Sequence, residues 1–402
     1  MLSSSSWSPL MNSFTIATKG GVPMIFEVRS SEIKEYVTLI QNIYTATEWT
    51  KNDLGWVELR VRDEKVTLTP GGSEPFSYQI VLDTAEPILD GAILIRIHEL
   101  SNALKTFDHE SVSLLIERDE EELRFDDGVY PPEIVILDET NEGTSGFRLE
   151  VTEGAEWVEI STVQLGHALA IARQLLRSTF LPASNMVFMG QESGNLYVRA
   201  FNMTEMFEAR IPASIDIGTS RCLLEKKDVS RFVKALNQLQ NKGRVELFFG
   251  REWIYVKHGS ALFAFPNNRD EESIHMFYQL PFYEMRAHEK GKAVSTEEVK
   301  SRMNDLKKRG SENIGFVWDE GGVHLTADER ASEIAIPYKS IQRVVSKWPF
   351  ETVCLKKGIE ENISPLIMEG EADRFRCVHI QMGLKREDTR SEEEGHPDAK
   401  TA

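Results

Sequence analysis

The sequence is poor in the features that mark secreted, membrane-spanning and metal-binding proteins. Its 402 residues include only three cysteines, Cys222, Cys354 and Cys377, and their spacing fits neither a zinc motif nor a redox pair. They are most simply explained as small core residues in a reducing cytosol. No run approaches the roughly 18 apolar residues of a membrane span, and the N-terminal MLSSSSWSPLMNSFTIATKGG lacks the basic and apolar regions of a secretory signal. These absences favour a cytoplasmic protein.

The sequence also lacks the short motifs that carry catalysis or cofactor binding. It contains no GxxxxGK[ST] or GxGxxG loop, no HExxH pair and no GxSxG elbow. The nine histidines are scattered, and none has a partner histidine four residues away. Acidic clusters such as Asp119–Glu122 and Glu392–Glu394 fall in a predicted turn and a tail, where solvation explains them. We therefore expect no cofactor, metal site or catalytic residue. An enzyme whose site is assembled from scattered residues is the alternative.

Positive charge is scarce overall but concentrated in a few segments. The formal net charge is -18, which argues against a protein that coats nucleic acid indiscriminately. Four predicted helices are nevertheless net positive, and the last of them carries three basic residues and no acid. Solvated helix faces often carry lysine, so this pattern fits either an ordinary surface or a surface for a polyanion. The four segments are Ser161–Leu181, Glu225–Lys242, Ser295–Arg309 and Tyr338–Lys347.

One amphipathic helix pattern occurs three times in the same register, about 115–130 residues apart. The clearest copy is Leu223–Gly243, and the others are Pro337–Trp348 and, more weakly, Ile97–Phe107. In each copy the apolar residues recur with the helical period and polar residues fill the opposite side. Two copies place basic residues at matching positions of the polar side, Lys227 and Arg231 in the first and Lys339 and Arg343 in the second.

The repeat divides the chain into three similar units. Each is predicted as a strand, a helix, three strands, a second helix and two or three further strands, which is an α+β domain with two helices on one face of an antiparallel sheet. Three such units with basic helix faces suggest an arc with a positive, helical concave side, whereas three unrelated small domains are the alternative. The predicted divisions are an N-terminal extension at 1–23, domains at 24–145, 146–272 and 273–384, and a disordered charged tail at 385–402.

Four segments match a known family in their order and spacing, over about Met24–Leu384. MIFEVRSSEI looks like that family's opening strand and helix, and LLEKKDVSRFVKALNQL is similar to the segment in which a basic pair precedes a helix of the second domain. Pro281, in YQLPFY, falls where the family has a proline opening its third domain. SPLIMEGEADRFRCVHIQMGL looks like its closing hairpin and C-terminal strand. Together these segments resemble the bacterial sliding clamp family, the beta subunit of DNA polymerase III.

The resemblance implies a head-to-tail homodimer, a ring of six domains whose helices line a hole occupied by duplex DNA. Cations on the inner helices would contact phosphates without reading bases, so the ring would hold DNA and still slide. The resemblance also implies that the protein tethers a DNA polymerase, a clamp loader and repair factors, in a bacterium or on behalf of a phage or plasmid. The residues expected to face phosphates are Lys51, Arg173, Arg177, Lys227, Arg231, Lys234, Lys300, Arg302, Lys307, Lys339 and Arg343.

The family also binds short partner peptides in an apolar pocket between its second and third domains. This chain departs from the family there, because Met203–Met206 replaces the usual glycine, bulky or basic pair and leucine, and Gln381 and Gly383 replace a usual proline and arginine. Methionine keeps a pocket apolar and adaptable, so we expect an altered peptide preference. The alternative is that Met206 and Met382 only fill core. Transferred by position, the pocket comprises Thr204, Glu205, Met206, Pro281, Ile380 and Met382.

Two hypotheses from different classes follow from the residues and the resemblance. The first is a processivity clamp that encircles duplex DNA without sequence specificity. The second is a clamp-fold interaction scaffold that never encircles DNA. They differ in ring closure, which a measurement of the oligomeric state addresses.

Overall fold

A computed structural model describes most of the chain, in fourteen segments. Lys51, Pro281, the predicted tail and residues 1–22 of the predicted extension lie outside these segments. The described residues are 23–44, 55–71, 76–107, 113–119, 122–137, 151, 155–177, 179, 181–214, 220–239, 243–279, 291–329, 331–358 and 365–383.

The chain forms two compact units. The first falls within residues 1–148 and the second within residues 149–402, except that segments 42–45 and 75–78 belong with the second. Each unit has helices and antiparallel sheets, which confirms the predicted α+β class. The further division of the second unit into two domains stays a prediction.

The described residues of the first unit form two helices and nine strands. Its sheets have the orders β5-β1-β7-β8-β9 and β4-β3-β2-β6. Alternate side chains of β1 are buried, as expected for a strand with one face on the core. The elements are β1 (Met24–Arg29), α1 (Ser30–Ile43), β2 (Trp56–Arg62), β3 (Lys65–Pro70), β4 (Ser77–Val81), β5 (Glu86–Leu89), β6 (Gly91–Arg96), α2 (Ile97–Lys105), β7 (Ser113–Asp119), β8 (Glu122–Asp126) and β9 (Glu133–Ile136).

The second unit begins with the elements of the predicted second domain. Ser161 caps its first helix, because the Ser161 hydroxyl accepts a hydrogen bond from the backbone N–H of Gln164 at 3.4 Å. The elements are β10 (Val158–Ser161), α3 (Thr162–Leu175), β11 (Met186–Glu192), β12 (Asn195–Phe201), β13 (Glu205–Pro212), β14 (Arg221–Glu225), α4 (Lys226–Leu239), β15 (Arg244–Phe249), β16 (Trp253–His258) and β17 (Ala261–Pro266).

The remaining elements of the second unit belong to the predicted third domain or connect to it. Three of them form a small separate sheet in the order β20-β19-β21. Of the preceding elements, strands β10, β15, β16 and β17 are neighbours in that order. The elements are α5 (Glu271–Gln279), β18 (Lys292–Ser295), α6 (Thr296–Lys308), β19 (Asn313–Asp319), β20 (Gly322–Thr326), β21 (Ile334–Pro337), α7 (Tyr338–Val345), β22 (Thr352–Lys357), β23 (Leu366–Ala372) and β24 (Phe375–Gln381).

One eight-stranded sheet runs through the predicted second and third domains, in the order β14-β11-β12-β13-β24-β23-β22-β18. The two halves join where β13 pairs with β24, with Met206 opposite Ile380 and Glu205 opposite Gln381. Glu205, Met206 and Ile380, which are expected in the peptide pocket, therefore meet at a continuous backbone ladder.

Four helices of the second unit lie side by side and form what we call the helical layer. Helix α4 packs beside α3, α3 beside α7, and α7 beside α6. The predicted apolar sides are buried in both strong copies of the repeat, as shown by Phe232 and Leu236 of α4 and by Ile341 and Val344 of α7. The amphipathic pattern was therefore interpreted correctly.

Two helix boundaries differ from the sequence prediction. Residues Leu223–Glu225 pair with β11 as strand β14, so the repeated helix begins only at Lys226. Helix α3 ends at Leu175, and the next residues turn away because the Arg177 N–H donates to the Ser184 carbonyl at 3.1 Å. Arg177 is consequently not on the helix that was expected to carry it.

Candidate nucleic-acid interface and domain junction

The helical layer carries basic side chains on all four of its helices. Lys307 of α6 and Lys339 of α7 are exposed, and Arg173 of α3 is half-buried. The Lys307 ammonium lies 5.7 Å from the centre of the Tyr338 ring, a cation–π contact between α6 and α7. Burial lowers the pKa of His167 on α3, and the positive charge of Lys347, two residues after α7, lowers it further. Side chains of neighbouring helices thus meet within the helical layer.

Three of the predicted phosphate-facing residues form exposed ion pairs with acids on or beside their own helices. All three pairs are substantially exposed, and the Lys227 side chain is 64% exposed. Such pairs contribute about 0–1 kcal/mol, so a phosphate could replace the carboxylate at little cost. The pairs are Lys227 with Glu225 (3.1 Å), Lys300 with Glu297 (2.7 Å) and Arg302 with Glu298 (2.6 Å).

Arg231 lies elsewhere than the helical period suggested. The sequence places it on the polar side of α4, but the residue is only 6% exposed and pairs with Asp228, which is also buried, at 2.6 Å. Burial raises the pKa of Asp228 to about 6, and the Arg231 charge offsets only part of that effect. Arg231 therefore holds α4 together and is not available to an external phosphate.

We expect the Asp228–Arg231 pair to give the protein a measurable pH dependence of stability. The folded pKa of Asp228, about 6, lies above the ordinary value of 3.8, so the native state binds the proton more tightly than the unfolded state. The contribution of this group is therefore complete below about pH 4 and is lost as the pH rises through 6, on the order of 3 kcal/mol. Urea unfolding between pH 4 and 7 measures it. The Asp228→Asn variant should lack this component, and an identical pH profile in the variant would contradict the assignment.

One further member of the predicted set has an intramolecular role, and another lies off the helical layer. The Lys234 ammonium donates to the Tyr44 carbonyl at 2.7 Å. Arg177 is exposed but follows the end of α3. Exposed and half-exposed cations of the predicted set on the four helices include Arg173, Lys227, Lys300, Arg302, Lys307 and Lys339.

An ion pair with a buried carboxylate links helix α7 of the predicted third domain to strand β13 of the predicted second domain. The Arg343 guanidinium of α7 donates to Glu205 at the start of β13, and Glu205 is only 1% exposed. The sequence predicts these two residues at different sites, Arg343 on the phosphate face and Glu205 in the peptide pocket. In the structure they are partners, and Arg343 lies at the junction of the predicted domains.

Two further polar side chains are buried beside this pair. His379 and Gln381 of β24 are almost inaccessible, and burial lowers the pKa of His379 to about 4. The Glu205 carboxylate acts to raise that pKa and the Arg343 charge to lower it, so both lie close to the imidazole. Among the described residues, both His379 nitrogens, Glu205 Oε2 and Gln381 Oε1 have no hydrogen-bond partner. Buried polar groups are normally paired, which makes this cluster sensitive to any change of charge.

An apolar cluster, here called the junction cluster, lies against the same strands. Met206 and Ile380 belong to it, and Met382 packs against it. Thr204 is adjacent, since its carbonyl accepts from the Met382 N–H at 2.9 Å. Five of the six expected pocket residues are thus brought together. The members of the junction cluster are Ala183, Met186, Phe188, Phe201, Met206, Leu223, Ile274, Phe277, Ile367 and Ile380.

Helix α5 is the element at this junction that sequence reasoning missed. The sequence predicts a domain boundary at 272/273, within the acidic stretch Asn267–Ser273, and that boundary stays a prediction. The same stretch contains Asp270, whose carboxylate accepts from the Ser273 N–H at 3.3 Å and so caps the helix. The cap, followed by Ile274 and Phe277 three residues apart, was the available signal.

Two properties of the described part of the chain bear on the class of protein. None of its helices has the length and apolar character needed to cross a membrane. Among the same residues, no three histidine, cysteine or acidic side chains are grouped so that they could hold a metal ion.

Known proteins match this chain in structure, whereas no match is found by sequence. No family model and no curated protein matches the sequence. The solved DNA polymerase III subunit beta from Pseudomonas aeruginosa has a TM-score of 0.70 at 14% identity, covering 90% of this chain and 100% of that one. The sliding clamp from Bacillus subtilis has a TM-score of 0.67 at 13% identity, covering 91% and 100%. A Pseudomonas aeruginosa clamp bound to griselimycin has a TM-score of 0.67 at 14% identity, covering 91% and 100%. The chain therefore has the fold of the sliding clamps, the beta subunits of DNA polymerase III.

Proposed function

We propose that this protein is a DNA sliding clamp, a ring-shaped processivity factor that holds duplex DNA without sequence specificity. The observation that carries the proposal is the helical layer, where four adjacent helices present cations on a chain whose net charge is -18. The acidic remainder would repel DNA, so the helical layer is the surface on which a polyanion can be held. The clamp fold over 90% of the chain supports the same function.

The chemistry of the helical layer suits sliding better than fixed binding. Its cations are lysines and arginines on helix surfaces, and such groups meet phosphates without reading base edges. The exposed pairs of Lys227, Lys300 and Arg302 can exchange a carboxylate for a phosphate at little cost. Contacts of this kind have similar energies at every register of the duplex, so the protein moves along DNA and topological closure supplies retention. No catalytic step is part of this function.

The strand edges support closure by a second copy of the chain. Within the described residues, β13 finds a partner in β24, whereas β20 pairs only with β19 and β9 only with β8. Strand β9 also exposes apolar side chains, with Ile136 72% and Ile134 44% exposed. Unpaired edges with exposed apolar residues are sites for strand pairing with another chain. A head-to-tail homodimer that joins β20 of one copy to the β9 side of the next would cover both edges.

The junction between the predicted second and third domains is the proposed site for partner peptides. Met206, Ile380 and Met382 give it an apolar, adaptable lining. The partners would be a DNA polymerase, a clamp loader and other replication or repair proteins of a bacterial cytoplasm. The alternative function, a clamp-fold scaffold that never encircles DNA, keeps this site and loses the ring.

Topological retention tests the proposal directly. The labelled protein is loaded with a clamp loader onto nicked circular plasmid, and half of the sample is then linearised. We expect it to remain on the circle and to leave the linear form through the ends. Equal retention on both forms would contradict encirclement. Sedimentation at micromolar concentration should give a dimer, and a monomer alone would favour the scaffold.

A further inference from the structure

Helix α5 fills the space beside the expected pocket residues with its own side chains. Phe277 is completely buried and Ile274 nearly so, and both belong to the junction cluster with Met206 and Ile380. The Phe277 ring centre lies 5.5 Å from that of Phe188. An apolar site at this junction is therefore already occupied by a segment of the same chain.

The attachment of α5 is one-sided. Its outer side is polar and exposed, and a cavity of about 640 Å³ lies along its flank, lined by Ile274, Tyr278 and Arg221 among others. Glu271 pairs with Arg221 at 3.2 Å, but both side chains are well exposed, so this pair adds little. A helix of nine residues is also not stable by itself in water. Helix α5 is thus attached by the burial of Ile274 and Phe277, by Met276 packed against the junction cluster, and by the Tyr278 ring, 5.4 Å from that of Phe188. Open space lies beside the helix, into which it can shift.

We infer that α5 is a resident occupant of the peptide site, which partner peptides must displace in order to bind. The inference rests on the proposed peptide-binding function of the junction and concerns how that site is regulated. The partner that fits is a short segment with two large apolar or aromatic side chains three residues apart, the spacing of Ile274 and Phe277. Because the closed form has no room for it, the apparent affinity of such a peptide is reduced by the fraction of molecules that are open.

A peptide of the chain's own sequence is the probe that the structure provides. The labelled peptide EESIHMFYQ, residues 271–279, is titrated with the full-length protein by fluorescence anisotropy. The Asp270→Ala variant removes the cap of α5 without touching the junction cluster, so we expect it to bind the peptide about five-fold more tightly than the unchanged protein. The matched control is His275→Gln on the exposed side of α5, which should bind as the unchanged protein does. Equal affinity in D270A and the unchanged protein would overturn the inference.

Native-state hydrogen exchange supplies a second measurement on the same molecules. If α5 opens locally, the amides of Ile274 and Phe277 exchange at least about 100-fold faster than that of Ile380 in β24. An excess of the probe peptide should speed exchange in α5 further, because it traps the open form. Exchange of α5 at the rate of β24, or no response to peptide, would show that α5 is permanent core. The retention assay on circular DNA contains no peptide, so failure of the occupant inference and failure of the clamp function are separately visible.

Discussion

Replacing Arg343 with methionine should lower the free energy of unfolding by about 3–5 kcal/mol, the usual cost of breaking a buried ion pair from one side. The loss arises because the Glu205 carboxylate stays buried after its partner is removed. Glu205 is 1% exposed, and without the guanidinium its charge has no compensation at the junction. Denaturation by urea measures the loss. The double variant E205Q/R343M should recover most of it, because both charges are then absent.

A spectroscopic signal separates this electrostatic role from lost packing. The Arg343 charge lowers the pKa of His379 and the Glu205 charge raises it. R343M should therefore move the His379 pKa upward from about 4, and E205Q should move it downward. Titration of the imidazole by NMR reads both directions. Loss of packing alone has no reason to shift the two variants in opposite senses.

The matched control is an exposed pair of the same chemical type. Arg302 and Glu298 are about 40% and 46% exposed and lie four residues apart on α6. R302M should cost about 0.5 kcal/mol or less. If R343M lowered the free energy of unfolding by no more than R302M does, the Glu205–Arg343 pair could not be a buried link between α7 and β13.

The helix repeat was predictable because its signal is local. A period of 3.6 residues in Val229, Phe232 and Leu236 already specifies which side of α4 is apolar, and the structure buries that side. Which side chain contacts the polar side of such a helix in the folded protein is not specified by the neighbouring sequence. Glu205 is 138 residues from Arg343, and no spacing rule connects them. Helix α5 was missed for a related reason, since its acidic first turn resembles a linker until Asp270 is recognised as a cap.

The two strong copies of the repeat share a division of roles that the sequence shows only as matching positions. Lys227 and Lys339 occupy one position and are exposed, whereas Arg231 and Arg343, four residues later, are both held in ion pairs with buried acids. The delocalised guanidinium is the cation better suited to a buried pair, and the strongly hydrated ammonium to an exposed site. The basic face of each helix thus combines a cation for solvent or phosphate with a cation for the fold.

This division selects the residues for a test of the DNA-facing surface. In the variant K227E/K307E/K339E all three changes fall on exposed side chains of the helical layer, so the fold should persist. Each lysine that neutralises a phosphate contributes about 0.9 to the slope of log affinity against log salt. The triple variant should therefore lose a slope of about 2.7 and, with three added repulsions, its loading onto circular DNA should fall by at least about ten-fold. Arg231 is left out because reversing a buried cation would unfold α4.

A variant of equal charge change identifies the surface as the cause. Arg251, Lys257 and Arg374 lie on strands or turns of the second unit and on none of the four helices of the helical layer, and their reversal to glutamate changes the net charge as much as the first triple variant does. We expect this control to load onto circular DNA within about two-fold of the unchanged protein, because local cations bind phosphates and a Debye length of about 8 Å screens distant ones. Equal losses of loading in both triple variants would mean that only net charge matters. Undiminished loading of K227E/K307E/K339E would mean that DNA, if it is bound, contacts another face of the protein.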